Sequence, residues 1–148
     1  MLFIKMDIQQ VHKWEQTVVN ILNLDNWNLT WSGGEFKHYD ARGYTRKNKE
    51  CVIEMKFRDK YYETKLLEKF KYDKLMEMDK ELTKLYLVFD PKGMYIFWLD
   101  KLQLPELEQL NCPDTTLWTK TKKQKDVYLL EESQASYINN ESGFNRCL

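Results

Sequence analysis

A chain of 148 residues, 43% apolar and 14% aromatic, suffices for one packed domain and leaves little for a second. Its 23 basic and 23 acidic residues cancel, which excludes a histone-like coat of positive charge but leaves room for local basic patches. No apolar run of about 18 residues is present, so no membrane span is expected.

No signal-peptide pattern follows Met1. Cys51, Cys112 and Cys147 are widely spaced, lack zinc-site pairing, and read as reduced thiols of a cytoplasmic-type compartment. Asp7, three positions before Gln10, caps a predicted helix over residues 8–23, whose apolar stripe runs through Ile8, Val11, Val18 and Leu22. Glu15 falls on that stripe and either reaches its edge or faces a polar cavity. Ser32-Gly33-Gly34 is a turn signal, followed by a predicted strand over 35–39 that ends at Asp40 and a hairpin connection over 41–50. Residues 51–57 read as a buried strand, and 62–78, free of Gly and Pro, as a helix. Runs 85–89 and 94–99 form a predicted hairpin around Asp90-Pro91-Lys92-Gly93. A short helix over 104–110, a basic loop over 120–125 and a last strand over 127–130 complete the expectation. The predicted architecture is α/β (α+β layered), in the order helix, strand, strand, helix, strand, strand. It forms one domain over 1–132, with a core of about 8–100, a peripheral addition over 101–132, and a loosely held tail over 133–148.

The strand at 51–57 is the informative element. Side chains alternate faces, so Glu54 and Lys56 share one face while Ile53, Met55 and Phe57 take the other. Burying uncompensated charge costs several kcal/mol, so a strand seldom carries two such residues for stability alone. The triplet acid-x-Lys is cheap in this chain: Glu35-Phe36-Lys37, Glu63-Thr64-Lys65 and Asp90-Pro91-Lys92 repeat it. Only Glu54-Met55-Lys56 lies in a strong apolar strand and follows an aspartate, Asp40, one hairpin upstream. Two carboxylates from adjacent strands make an oxygen-rich site suited to Mg²⁺, and a neighbouring lysine suits a water or a charged phosphate. No Ser-His-Asp or Cys-His set competes, since His12 and His38 are the only histidines.

Asp40, then Glu54-x-Lys56, in this order of elements, resembles the PD-(D/E)xK nuclease superfamily, the restriction-endonuclease-like fold, over roughly residues 8–100. The spacing looks like its small phage-type or resolvase-like members. The resemblance implies one mixed central sheet flanked by helices and Mg²⁺-dependent hydrolysis of DNA, with Mn²⁺ able to substitute. It makes Asp40 and Glu54 metal ligands and Lys56 the residue serving the attacking water, and it recruits Glu15 from the first helix to the site. Products with a 5′-phosphate and a 3′-hydroxyl are also implied, as is a homodimer for resolvase-like members, in the cytoplasm of a bacterial or phage-infected cell. The family's name-giving proline is absent, since Tyr39 precedes Asp40.

Glu68-x-x-x-Tyr72 resembles the Gln-x-x-x-Tyr element of RecB-like nucleases, with glutamate for glutamine. On the predicted helix Tyr61, Lys65, Glu68 and Tyr72 form one stripe, with Lys71 beside it, which makes Lys65, Lys71 and Tyr72 candidate DNA contacts, or else a solvated face with ion pairs. From Arg42 to Lys74 eleven basic residues meet six acidic ones, a local excess of five. Lys120, Lys122, Lys123 and Lys125, with Trp118 nearby, form a second patch suited to a nucleic-acid backbone. The rival expectation is a non-catalytic phage-type binding or inhibitor protein retaining the nuclease fold.

Overall fold

A computed structural model describes residues 7–34, 37–113 and 122–140. The chain opens with helix α1 (Ile8–Leu24), where the Asp7 carboxylate accepts from the Gln10 N–H at 2.7 Å. Asn23 ties the end of this helix to the first strand, since its amide both donates to the Leu29 carbonyl and accepts from the Leu29 N–H.

Six strands form the main sheet: β1 (Asn28–Trp31), β2 (Ala41–Tyr44), β3 (Glu50–Phe57), β5 (Thr83–Asp90), β6 (Gly93–Trp98) and β9 (Tyr137–Asn140), in the order β1-β2-β3-β5-β6-β9. Only the β3–β5 pairing is parallel, so the sheet is mixed as expected. Gly43 permits the β1–β2 approach, because a Cβ there would meet the Asn28 carbonyl oxygen at 2.0 Å. Between β3 and β5 the chain makes β4 (Thr64–Glu68) and helix α2 (Lys69–Met76). A second, three-stranded antiparallel sheet has the order β4-β8-β7, with β7 at Glu108–Pro113 and β8 at Lys122–Glu131.

Strand alternation divides the core in two. Cys51, Ile53, Met55 and Phe57 join Leu85, Leu87 and Ile96 beneath α1, which contributes Val19 and Leu22. On the opposite face Val52, Tyr86, Val88, Tyr95 and Phe97 pack against Leu67, Leu75, Tyr128 and Leu130 of the second sheet and α2. Each fully buried aliphatic or aromatic side chain contributes roughly 1.5–3 kcal/mol. The Tyr86 hydroxyl donates to the Leu66 carbonyl at 2.7 Å and joins the layers. Among the described residues no helix is long and apolar enough to cross a membrane.

Several boundaries differ from the sequence reading. The helix expected over 62–78 is a strand followed by a shorter helix, because Lys65 and Leu67 are buried alternately and β4 pairs with β8. Pairing and burial override the helical propensity of that stretch. Of the strand expected over 35–39, residues 35 and 36 lie outside the described residues and 37–39 form no strand: Asp40 precedes β2 instead of ending a strand, and β1 pairs with β2. The short helix expected over 104–110 is extended chain leading into β7, held by pairing to β8. Part of the expected peripheral addition is thus the second sheet, and part of the expected tail is β9 on the edge of the main sheet. Trp118, Lys120, Cys147 and the tail from 141 lie outside the described residues.

Candidate active site

Asp40 sits where β2 leaves β3. Its N–H donates to the Ile53 carbonyl at 2.8 Å, one residue off the register in which Ala41 pairs with Ile53. Two residues further along β3, its Oδ2 accepts the Met55 N–H at 2.7 Å, so the side chain takes the place of a backbone partner beyond the end of β2. The carboxylate is thereby fixed beside the middle of β3. Glu54 and Lys56 project from β3 on the face opposite the Ile53 and Met55 side chains. Glu15, 6% exposed on α1, accepts from the Trp31 indole N–H at 3.0 Å and lies close enough to Asp40 for its charge to act on that carboxyl. Of the two readings of Glu15, the polar cavity holds.

These groups line one cavity of about 690 Å³ between the main sheet, the start of α1 and the second sheet. Its wall also carries Glu68, Lys71 and Lys125. Lys71 Nζ lies 3.3 Å from Glu54 Oε1, and Lys125 Nζ donates to Glu68 Oε1 at 2.6 Å.

The carboxyls on the sheet side are crowded. Burial, then the Glu15 charge, push Asp40 up to about 7. Burial and repulsion from Asp40 push Glu54 up to about 8, against the pull of Lys71. Glu15 is raised as well, chiefly by burial. Glu68 differs: burial is the largest influence and acts upward on it too, but the Lys125 bond and the charges of Lys125, Lys56 and Lys71 together outweigh it and hold Glu68 below the ordinary range. Burial and the charge of Arg58 lower the pKa of Lys56, whereas the neighbouring carboxylates, Glu54 first, outweigh burial and raise that of Lys71.

Among the described residues no group of three or more His, Cys, Asp or Glu side chains is placed to hold a metal ion. Asp40 and Glu54 instead offer oxygen donors on an open cavity wall, and their mutual repulsion is the kind a cation relieves. The donor set fits a hard divalent ion that keeps several waters and takes one or two carboxylates.

Of the residues singled out in the sequence, Asp40, Glu54, Lys56, Glu15 and Lys71 converge. Lys65 does not remain available: it is 3% exposed, and its Nζ donates to Asp90 Oδ2 at 2.8 Å, Glu132 Oε1 at 3.1 Å and the Tyr62 carbonyl at 2.6 Å. Tyr72 packs edge-on against Tyr128 with ring centres 5.7 Å apart, as part of the core margin. The expected helical stripe from Tyr61 to Tyr72 does not form, because β4 ends at Glu68 and α2 begins at Lys69. His38 is exposed and meets Phe70 edge-on. The Trp31 bond to Glu15 and the Lys125 pairing with Glu68 are additions that the sequence reading lacks. Trp31 follows Leu29 at strand spacing, which is a readable signal; the Lys125 partner depends on a long-range register with none.

No family model and no curated protein matches the sequence. Among solved structures the chain is similar to Hjc, a Holliday junction resolvase from the archaeal hyperthermophile Archaeoglobus fulgidus, with a TM-score of 0.57 and 13% identity. The match covers 88% of this chain and 90% of that one. The chain therefore has a restriction-endonuclease-like fold, with which its mixed sheet and the two helices among the described residues are consistent.

Proposed function

We propose that the protein is a metal-dependent nuclease hydrolysing DNA phosphodiester bonds. The observation that carries this reading is the convergence of Asp40, Glu54 and Glu15 with Lys56 and Lys71 on one cavity, with the carboxyls held above their ordinary range. Asp40 and Glu54 are the residues to hold Mg²⁺, or Mn²⁺ in its place. When bound, the ion supplies Lewis-acid polarisation of the scissile phosphate and lowers the pKa of water.

The protein's own groups supply the rest. Asp40 is locked by the Met55 N–H and so presents its remaining lone pairs in a fixed direction. Lys56, on the same strand face as Glu54, positions the attacking water, and its lowered pKa eases proton exchange with that water. Glu15 adds its charge beside Asp40 and is itself steered by the Trp31 N–H. Lys71, on the cavity wall, offers positive charge to a phosphate that gains negative charge, while Lys125 balances Glu68. The similarity to a Holliday junction resolvase makes branched DNA the first substrate to try.

A gel assay over linear, circular, single-stranded and branched DNA, with and without Mg²⁺ or Mn²⁺, tests the reading. Metal-dependent cleavage is expected, and Glu54→Ala or Lys56→Ala is expected to lower it by about 10²-fold or more. Equal activity in those variants would sink the assignment.

A further inference from the structure

Glu54 and Lys71 form an ion pair whose two ends differ in access. The Glu54 side chain is 11% exposed, whereas that of Lys71 is 37% exposed and rises from the first turn of α2. The carboxylate is held by β3, paired on both sides, while the ammonium ends a flexible four-carbon stem. Lys125 stands nearby but is committed to Glu68. Lys71 is thus the cation bridged to Glu54, and it has somewhere to go: the cavity it lines is open to solvent and wide enough for a phosphate.

We propose that Lys71 is a built-in counter-ion of Glu54, which a divalent cation displaces and which is then free to meet the substrate phosphate. The proposal rests on the metal-dependent nuclease reading above. Two cations at one carboxylate repel each other, so metal binding and the Lys71–Glu54 contact compete. The lysine keeps the emptied site from carrying an uncompensated carboxylate, and its release couples metal loading to substrate capture.

The test is Mn²⁺ binding to the DNA-free protein in alkaline buffer, where Glu54 is ionised, by calorimetry or electron paramagnetic resonance, for wild type, Lys71→Met, Lys71→Arg and Glu54→Gln. Lys71→Met is expected to bind Mn²⁺ about tenfold more tightly than wild type, the factor that ~1.4 kcal/mol of removed competition gives. Lys71→Arg is expected to stay near wild type, and Glu54→Gln to lose the site. In Ca²⁺, Lys71→Met is also expected to bind DNA several-fold more weakly. Met keeps the stem of a half-exposed side chain, and a thermal melt verifies folding; Lys71→Ala gives a second reading. If Glu54→Gln abolishes binding but Lys71→Met binds no more tightly than wild type, the counter-ion role is overturned and the metal site stands. If neither wild type nor Lys71→Met binds Mn²⁺ through Glu54, the metal reading falls, and this proposal with it.

Discussion

Two buried charge clusters flank the same cavity, and they resolve the cost of burial in opposite ways. Around Lys65 every charge is closed. Its ammonium meets Asp90, Glu132 and a backbone carbonyl and lies 4.4 Å and 4.2 Å from the ring centres of Tyr61 and Tyr95. Asp90 uses its other oxygen to accept the Lys92 and Gly93 N–H groups, and Tyr61 donates to Glu132 at 2.7 Å. Burial acts upward on Glu132, yet the Tyr61 and Lys65 bonds hold its pKa below the ordinary range. Around Glu54 the balance is left open: three carboxyls are raised, and one half-exposed lysine bridges to Glu54 alone. The closed cluster ties the second sheet to the β5–β6 hairpin, and the open one has the signature of a site awaiting charge.

The largest expected effect of breaking this contrast is on stability at the closed cluster. Lys65→Met leaves Asp90 buried without its cation, which should cost about 3–5 kcal/mol in urea unfolding. Adding Asp90→Asn to it should restore much of the loss. A cost below about 1 kcal/mol, that of an exposed pair, would show that the cluster is not closed.

A smaller effect separates the clusters by pH. Asp40 titrates at about 7 in the fold against an ordinary 3.8, and Glu54 at about 8 against 4.5. Between about pH 4 and 8 the folded protein therefore binds more protons than the unfolded chain, and the stability of the metal-free protein should fall by roughly 1–3 kcal/mol as pH rises through that window. Glu132 works the other way: its contribution is present above the ordinary carboxylate range and is lost as pH falls through its lowered pKa. The double variant Asp40→Asn, Glu54→Gln should flatten the loss on the rising side and spare the acid side. An unchanged slope would place the protons elsewhere.

The smallest effect lies at the surface. Arg42 and Glu50 pair at 3.2 Å with side chains 44% and 45% exposed, so Arg42→Ala should change stability by about 0.5 kcal/mol or less. A larger change would mean that exposed pairs matter here as the buried ones do.

How far this contrast is legible in the sequence depends on the range of the interaction. Strand alternation puts Glu54 and Lys56 on one face, and the structure gives the same division between the two cores. The cap at Asp7 and the hairpin around Asp90-Pro91-Lys92-Gly93 are local signals of the same sort, and both form as expected. Asp40 stands out in the sequence, but its place before β2 does not, because that depends on where β2 parts from β3. Lys65 reads locally as a DNA contact and is instead buried, since its burial depends on β4 pairing with β8 some sixty residues downstream. Glu63, Lys65 and Leu67 favour a helix locally, and no nearby residue announces the strand. The Lys125–Glu68 pair is hidden for the same reason.

The central claim is that the open cluster is a metal-dependent nuclease centre, and Asp40→Asn tests it with least disturbance, since asparagine can still accept the Met55 N–H. Nicking of supercoiled and branched DNA should be measured across a Mg²⁺ titration for wild type and this variant. Wild type is expected to cleave only with metal, and Asp40→Asn to lose about 10²-fold or more at every metal concentration. Cleavage that persists in Asp40→Asn, or a wild type inert with every divalent ion tried, would contradict the account.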